Sequence, residues 1–94
     1  MEEIVRRYRG VRTPAGHELR VDLRDNEVVL WYLFWGEYRG VDDHHHFGVA
    51  RVRRDGSKYV IGWMHGTEQE PRHTELVSGM DDVFKKLDDE ISRR

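Results

Sequence analysis

The chain has 94 residues, 37% hydrophobic, 11% aromatic and 36% charged, which describes one globular domain with a small core rather than a disordered segment. A formal net charge of −2 and a pI near 6.3 argue against a general nucleic-acid coat, and the absence of cysteine excludes a disulfide framework and a thiolate metal site. No long apolar run is present and the first residues, Met1 to Arg7, lack a secretory apolar region, so the expectation is a soluble cytoplasmic protein with no membrane association.

Arginine outnumbers lysine 13 to 3. Because no arginine cluster has the spacing of a phosphate motif, base composition of the gene explains this better than anion recognition. No repeat, linker or low-complexity stretch divides the chain, so residues 1–94 form a single domain.

In chain order, Met1, Ile4, Val5 and Tyr8 have helical spacing, but Tyr8 to Arg12 reads better as an edge strand ending in the turn Thr13-Pro14-Ala15-Gly16. A short N-terminal helix is the alternative. The next signal is Asp25-Asn26, a two-residue turn between alternating runs. It predicts a hairpin in which Leu23 faces Val28, Val21 faces Leu30 and Leu19 faces Tyr32. One sheet face then carries Leu19, Val21, Leu23, Val28, Leu30, Tyr32 and Phe34. The opposite face carries Val29, Trp31, Leu33 and Trp35 beside Glu18, Arg20, Asp22 and Arg24. Val28–Trp35 is continuously apolar, as expected of a strand covered on both sides.

Residues 39–46 read as a polar connection. A second hairpin around Asp55-Gly56 is expected to pair Val52 with Tyr59, Ala50 with Ile61 and Gly48 with Trp63, the tryptophan filling the gap over glycine. Its other face holds Arg51, Arg53 and Lys58 near the turn, with Phe47, Val49 and Met64 farther out. After a polar connection, Gly66–Glu70, a fifth strand falls near Arg72–Val77. Met80, Val83, Phe84, Leu87 and Ile91 then define an amphipathic C-terminal helix, with Ser78 as its N-cap and Asp81 and Asp82 at the positive end of its dipole. The fold class that follows is α+β: a mostly antiparallel meander sheet of four to six strands with this helix packed on one face.

A helix of about 14 residues, some 21 Å long, covers only one sheet face. The face with Trp31, Leu33 and Trp35 needs another cover: a curled sheet, the N-terminal segment or a second protein chain. Leaving it in water forgoes roughly 1.5–3 kcal/mol for each large side chain. Arg20 opposite Trp31 offers a cation–π pair, and tryptophan and arginine are frequent interface anchors. The same residues, with Arg24, Arg51 and Arg53, would also suit stacked nucleobases and their phosphates.

The meander sends His17, the 39–46 connection and His65 to one end of the sheet, with His73 joining them. Asp42, Asp43, His44, His45 and His46 supply donors suited to zinc, manganese or iron. Consecutive ligands on one loop are a poor metal template, so no metal or other cofactor is expected. His65-Gly66-Thr67 resembles the His-x-Thr element of two-histidine phosphoesterases, but the second element is missing and the chain is shorter than that two-lobed fold. No nucleophile elbow, Walker loop or dinucleotide glycine pattern occurs. The paired acids Asp81-Asp82 and Asp88-Asp89 belong to the solvated side of the helix.

The expectation is therefore a small non-enzymatic binding protein of inhibitor, immunity or regulatory type, with no catalytic residues. It would act through protein contacts on Arg20, Trp31, Leu33 and Trp35, or on the rim of Asp42, Asp43, His44, His45, His46 and His65. A homodimer is one form of such contact. A nucleotide or single-stranded nucleic-acid binder is the alternative, and a small histidine- or metal-dependent hydrolase comes third.

Overall fold

A computed structural model describes residues 1–94. It contains helix α1 (Glu2–Tyr8), strands β1 (Arg20–Arg24), β2 (Glu27–Tyr38), β3 (Val41–Asp55), β4 (Lys58–Trp63) and β5 (His73–Val77), and helix α2 (Met80–Ile91). The five strands form one antiparallel sheet in the order β1-β2-β3-β4-β5, a meander with each strand beside its chain neighbours. The α+β class follows, and no helix is long and apolar enough to cross a membrane.

Leu23↔Val28 and Val21↔Leu30 pair as the Asp25-Asn26 turn predicts, with Asp25 at φ 53°. The second hairpin differs. Its central turn residues are Gly56 and Ser57, with Gly56 at φ 63° in the left-handed region that glycine occupies most easily. Val52 therefore pairs with Ile61 and Ala50 with Trp63, instead of Tyr59 and Ile61. A two-residue displacement keeps every side chain on its expected face. The gap at Gly48 is filled by Met64, whose Cβ lies 2.8 Å from where a glycine Cβ would stand.

Two larger corrections concern the ends of the sheet. Residues 41–46 are not a loop. The chain reverses at Arg39-Gly40, both at positive φ (52° and 82°) as a type I′ turn requires, and β2 and β3 continue as a long two-stranded ribbon. The N-terminal segment is a helix, not an edge strand. Only the bridge Arg12↔Glu18 remains of the expected extended structure. Ile4 and Tyr8 are buried, and Tyr8 Oη shares its proton between Asp88 Oδ1 at 2.8 Å and the Phe84 carbonyl at 3.2 Å, both on α2.

The core lies between the sheet and the two helices. Val21, Val28, Leu30, Val52 and Ile61 meet Ile4, Tyr8, Val83, Leu87 and Ile91. Leu23 was expected in this core but is 43% exposed, because it sits at the turn end of the outermost strand. The N-cap of α2 is Gly79 rather than Ser78, whose hydroxyl donates to Asp82 Oδ2 at 3.0 Å. We refer to the helix-covered side of the sheet as the closed face and the other as the open face.

The ribbon tip folds back on itself. The Tyr38 ring packs edge-on against Phe47 at 4.8 Å between centroids, and Phe47 stacks on Phe34. Gly66, at φ 51°, has the Tyr38 hydroxyl where a side chain would be. Gly66→Ala is expected to cost about 1–3 kcal/mol, combining the left-handed backbone with the clash. Combined with Tyr38→Phe, the loss should be smaller than the sum of the two single losses, as read from denaturant midpoints.

The α1–α2 contact predicts an alkaline limit. Burial, reinforced by the hydrogen bond that the hydroxyl donates to Asp88, raises the Tyr8 phenol above its ordinary range. A folded-state value above the unfolded one means the contribution is full below about pH 10 and falls as pH rises beyond it. Stability should decline in that window, and Tyr8→Phe should flatten the decline while costing about 1 kcal/mol near neutrality for the lost hydrogen bond.

Candidate functional site

The open face is organised by a β-bulge. Leu30 pairs with Ala50, but Trp31 pairs with Gly48, so Val49 is an extra residue in β3. Val49 and Ala50 are both fully buried. The Gly48 carbonyl at the bulge accepts a hydrogen bond from Arg94 Nη1 at 3.0 Å, and the Gly48 amide donates to the Gly66 carbonyl.

The bulge decides which way the histidines face. Without it, Phe47 and His45 would share the open face with Leu33 and Trp35. With it, Leu33 pairs with His46 and Trp35 with His44, while Phe34 pairs with His45 and Tyr32 with Phe47. Two aromatic groups result. On the closed side, Tyr32, Phe34, Tyr38, His45 and Phe47 pack together, and His17 stacks on Tyr32 at 4.6 Å. On the open side, His46 lies flat on Trp31 (4.5 Å between centroids, 7° between planes) and His44 leans on Trp35 at 4.8 Å.

Trp31 and Trp35 have different surroundings. Trp31 is half-buried: His46 covers it on one side, the Arg20 guanidinium lies 5.6 Å from its ring, and its indole N–H donates to Asp22 Oδ2 at 2.9 Å. Trp35 is 70% exposed. Leu33 lies between them, partly exposed. The sheet does not curl over this face and α1 lies on the other side. The segment after β4 covers only its inner part, where Pro71 packs on Gly62 and the Gln69 carbonyl accepts from Arg51. Of the expected covers within the chain, only the segment before β1 comes near Trp35: Arg12, Gly16 and Glu18 line a hollow with it and Leu33, and the ring stays 70% exposed.

The open face is graded in charge. Near the turn end of β2, Arg51 is bonded to Glu27 (Nε to Oε1 2.9 Å) and Arg24 lies 3.3 Å from Asp22, whereas Arg20 and Arg53 have no carboxylate within ion-pair distance. At the tip, Glu37 pairs across the ribbon with Asp42, and neither carboxylate has a cation within ion-pair distance. Asp43, on the other side, has its carboxyl held below the ordinary range by the His44 amide and then by the His44 charge.

The six histidines do not meet. His44 and His46 lie on the open face, His45 in the ribbon's closed-side cluster with its Nε2 3.0 Å from the Val41 carbonyl, and His17 over Tyr32. His65 and His73 face each other at 6.4 Å across a cleft of about 320 Å³ at the end of α2. There Lys86 pairs with Glu75 (3.3 Å) and Arg94 with Glu90 (3.0 Å). No three metal-ligating side chains converge anywhere. Sequence reasoning placed Arg20, Trp31, Leu33 and Trp35 on one face correctly. It missed that His44 and His46 join them, for which a one-residue bulge leaves no compositional signal.

Neither known protein families, characterised proteins nor solved structures give a match to this chain. Its function therefore has to be argued from the site itself.

Deleting Val49 would let Gly48 follow Ala50 in plain alternation, so the bulge disappears while Phe47 and His45 stay on the closed face and His44 and His46 on the open one. The deletion should cost what the lost buried side chain is worth, close to Val49→Ala at about 1–3 kcal/mol, in denaturant unfolding.

Proposed function

We propose that this chain is a non-enzymatic binding protein that docks another protein through the open face of the β2–β3 ribbon. Trp35 is the main anchor, Trp31 and Leu33 form the floor, and Arg20, His44 and His46 surround them. The observation that carries this reading is the 70% exposure of Trp35 on a continuous hydrogen-bonded ribbon, beside a second tryptophan already held in place. A large aromatic side chain left in water at a fixed position loses little freedom on docking, and tryptophan and arginine dominate interface energetics. The two tryptophan–histidine pairs add rigid, flat contact area with a polar edge.

A second reading is supported by the same pairs. Bases of a single-stranded nucleic acid could stack on Trp35 and Trp31 with the free Arg20 and Arg53 at the phosphates. Glu37 and Asp42 on the same face weigh against it.

Trp35→Ala separates these readings from none at all. The variant should fold normally, within about 0.5 kcal/mol of the parent, because the side chain is mostly solvated. Immobilised parent protein should retain a protein from its native cell extract that the variant binds about 30-fold more weakly, the usual loss for a tryptophan anchor. Retention unaffected by the substitution would refute the proposal. Binding of a homopolymeric oligonucleotide that collapses as salt is raised would favour the second reading instead.

A further inference from the structure

Resting on the reading of the open face as a docking surface, we infer that one occupant is a second copy of this chain, bound antiparallel about a twofold axis at Leu33. A twofold interface demands a self-complementary surface, in which whatever lies at a given distance on one side of the axis matches what lies at the same distance on the other. The pairing registers allow this to be checked level by level along the ribbon.

Taking Leu33/His46 as the centre, Trp35/His44 lies two residues toward the tip and Trp31/Gly48 two residues toward the root. Turning the second copy end for end therefore sets Trp35 of each chain over Trp31 of the other. There the incoming ring meets a floor made of Trp31, the His46 ring stacked on it, and Met64, which fills the space at Gly48. Two further residues out, the Glu37/Asp42 pair falls on the level of Val29, with Arg20 one step to one side of it and Arg53 one step to the other. At the rise of a β-strand the Glu37/Asp42 and Val29 levels lie about 13 Å from the axis, Arg20 about 7 Å and Arg53 about 20 Å.

The charges fit this arrangement. Glu37 and Asp42 are exposed and without an ion-pair partner, and so are Arg20 and Arg53; Arg51 is paired with Glu27, Arg24 with Asp22 and Glu68 with Arg72, Arg39 lies over the Tyr38 ring of the closed side, and Glu70 is the one further unpaired charge beside Arg24 and Arg51. On the open face the tip of each chain thus carries the unpaired Glu37 and Asp42 and the root a net positive charge from Arg20 and Arg53 against Glu70, and antiparallel docking brings tip and root together twice, around a centre made of Leu33 and the four tryptophans. A parallel arrangement would stack anion on anion and cation on cation. Complementary charge fixes orientation and register, and the apolar centre supplies most of the attraction.

The test is a charge exchange read by sedimentation equilibrium over a concentration series. A tip variant carries Glu37→Arg and Asp42→Arg, and a root variant carries Arg20→Glu and Arg53→Glu, all at exposed positions. The parent should form a concentration-dependent dimer whose affinity falls several-fold as salt is raised. Each variant alone should be monomeric, because its tip and root then have the same sign. Mixed in equal amounts, the two should form a heterodimer with affinity near the parent's, since each tip again faces an opposite root. An unfolded variant could not be rescued by mixing, so recovery also shows that both are intact. A parent that stays monomeric at its highest soluble concentration, a variant that still dimerises alone, or a mixture that stays monomeric would each overturn the inference. A monomeric parent that still retains a cellular protein in a Trp35-dependent way would overturn self-pairing while leaving the proposed docking face in place; loss of both would remove that face as well.

Discussion

The one-residue bulge at Val49 is the constraint on which the rest of the ribbon depends. A strand that alternates faces without interruption would send Phe47 into solvent beside Trp35 and leave Phe34 and Tyr32 uncovered. The extra residue reverses the alternation midway along β3. Toward the Gly56 turn, Val52 and Ala50 contribute to the core under the helices. Beyond the bulge, Phe47 and His45 keep the closed face apolar, and His44 and His46 turn outward onto the tryptophans. At Gly48 the carbonyl is satisfied by Arg94 and the amide by the Gly66 carbonyl, so both backbone groups of that residue are paired.

The two sheet faces consequently do different work. The closed face holds nearly all of the buried apolar side chains against α1 and α2. The open face has paired charges and the unpaired Arg20 and Arg53 near the root, stacked tryptophan–histidine pairs in the middle and free carboxylates at the tip. Its aromatic residues are positioned by contacts within the chain: Trp31 by Asp22, Arg20 and His46, and the ribbon tip by Tyr38 against Phe47 and Gly66. A surface held in place before any partner arrives loses less freedom on binding.

How much of this could be read from the sequence depended on whether a residue's fate was decided locally. The β1–β2 register followed from the Asp25-Asn26 turn, and the apolar spacing of Met80 to Ile91 was enough to locate α2. The segment 39–46 was read as a connection because its turn has charged residues close by and its strands show no apolar alternation. A two-stranded ribbon with one solvated face and a bulge has no such pattern to show. The N-terminal helix was misread because its decisive contact, Tyr8 with Asp88, spans 80 residues of chain. The shift of the second hairpin came from glycine, which took the first central turn position and moved the register by two. In the candidate site, the four residues on β1 and β2 were legible because two-residue periodicity alone groups them. The two histidines on β3 were not, because their side of the sheet is set by the bulge.

That same α1–α2 clasp sets the order of events along the folding route. Every strand pairs with its immediate neighbour in the chain, so the sheet can assemble from short loops whose closure costs little entropy. Joining Tyr8 and Arg7 to Asp88 closes almost the whole chain into one loop and yields its benefit only once the intervening sheet exists. The clasp is thus a late contact, formed after the rate-limiting barrier. Its strength governs how long the native state survives rather than how quickly it is reached.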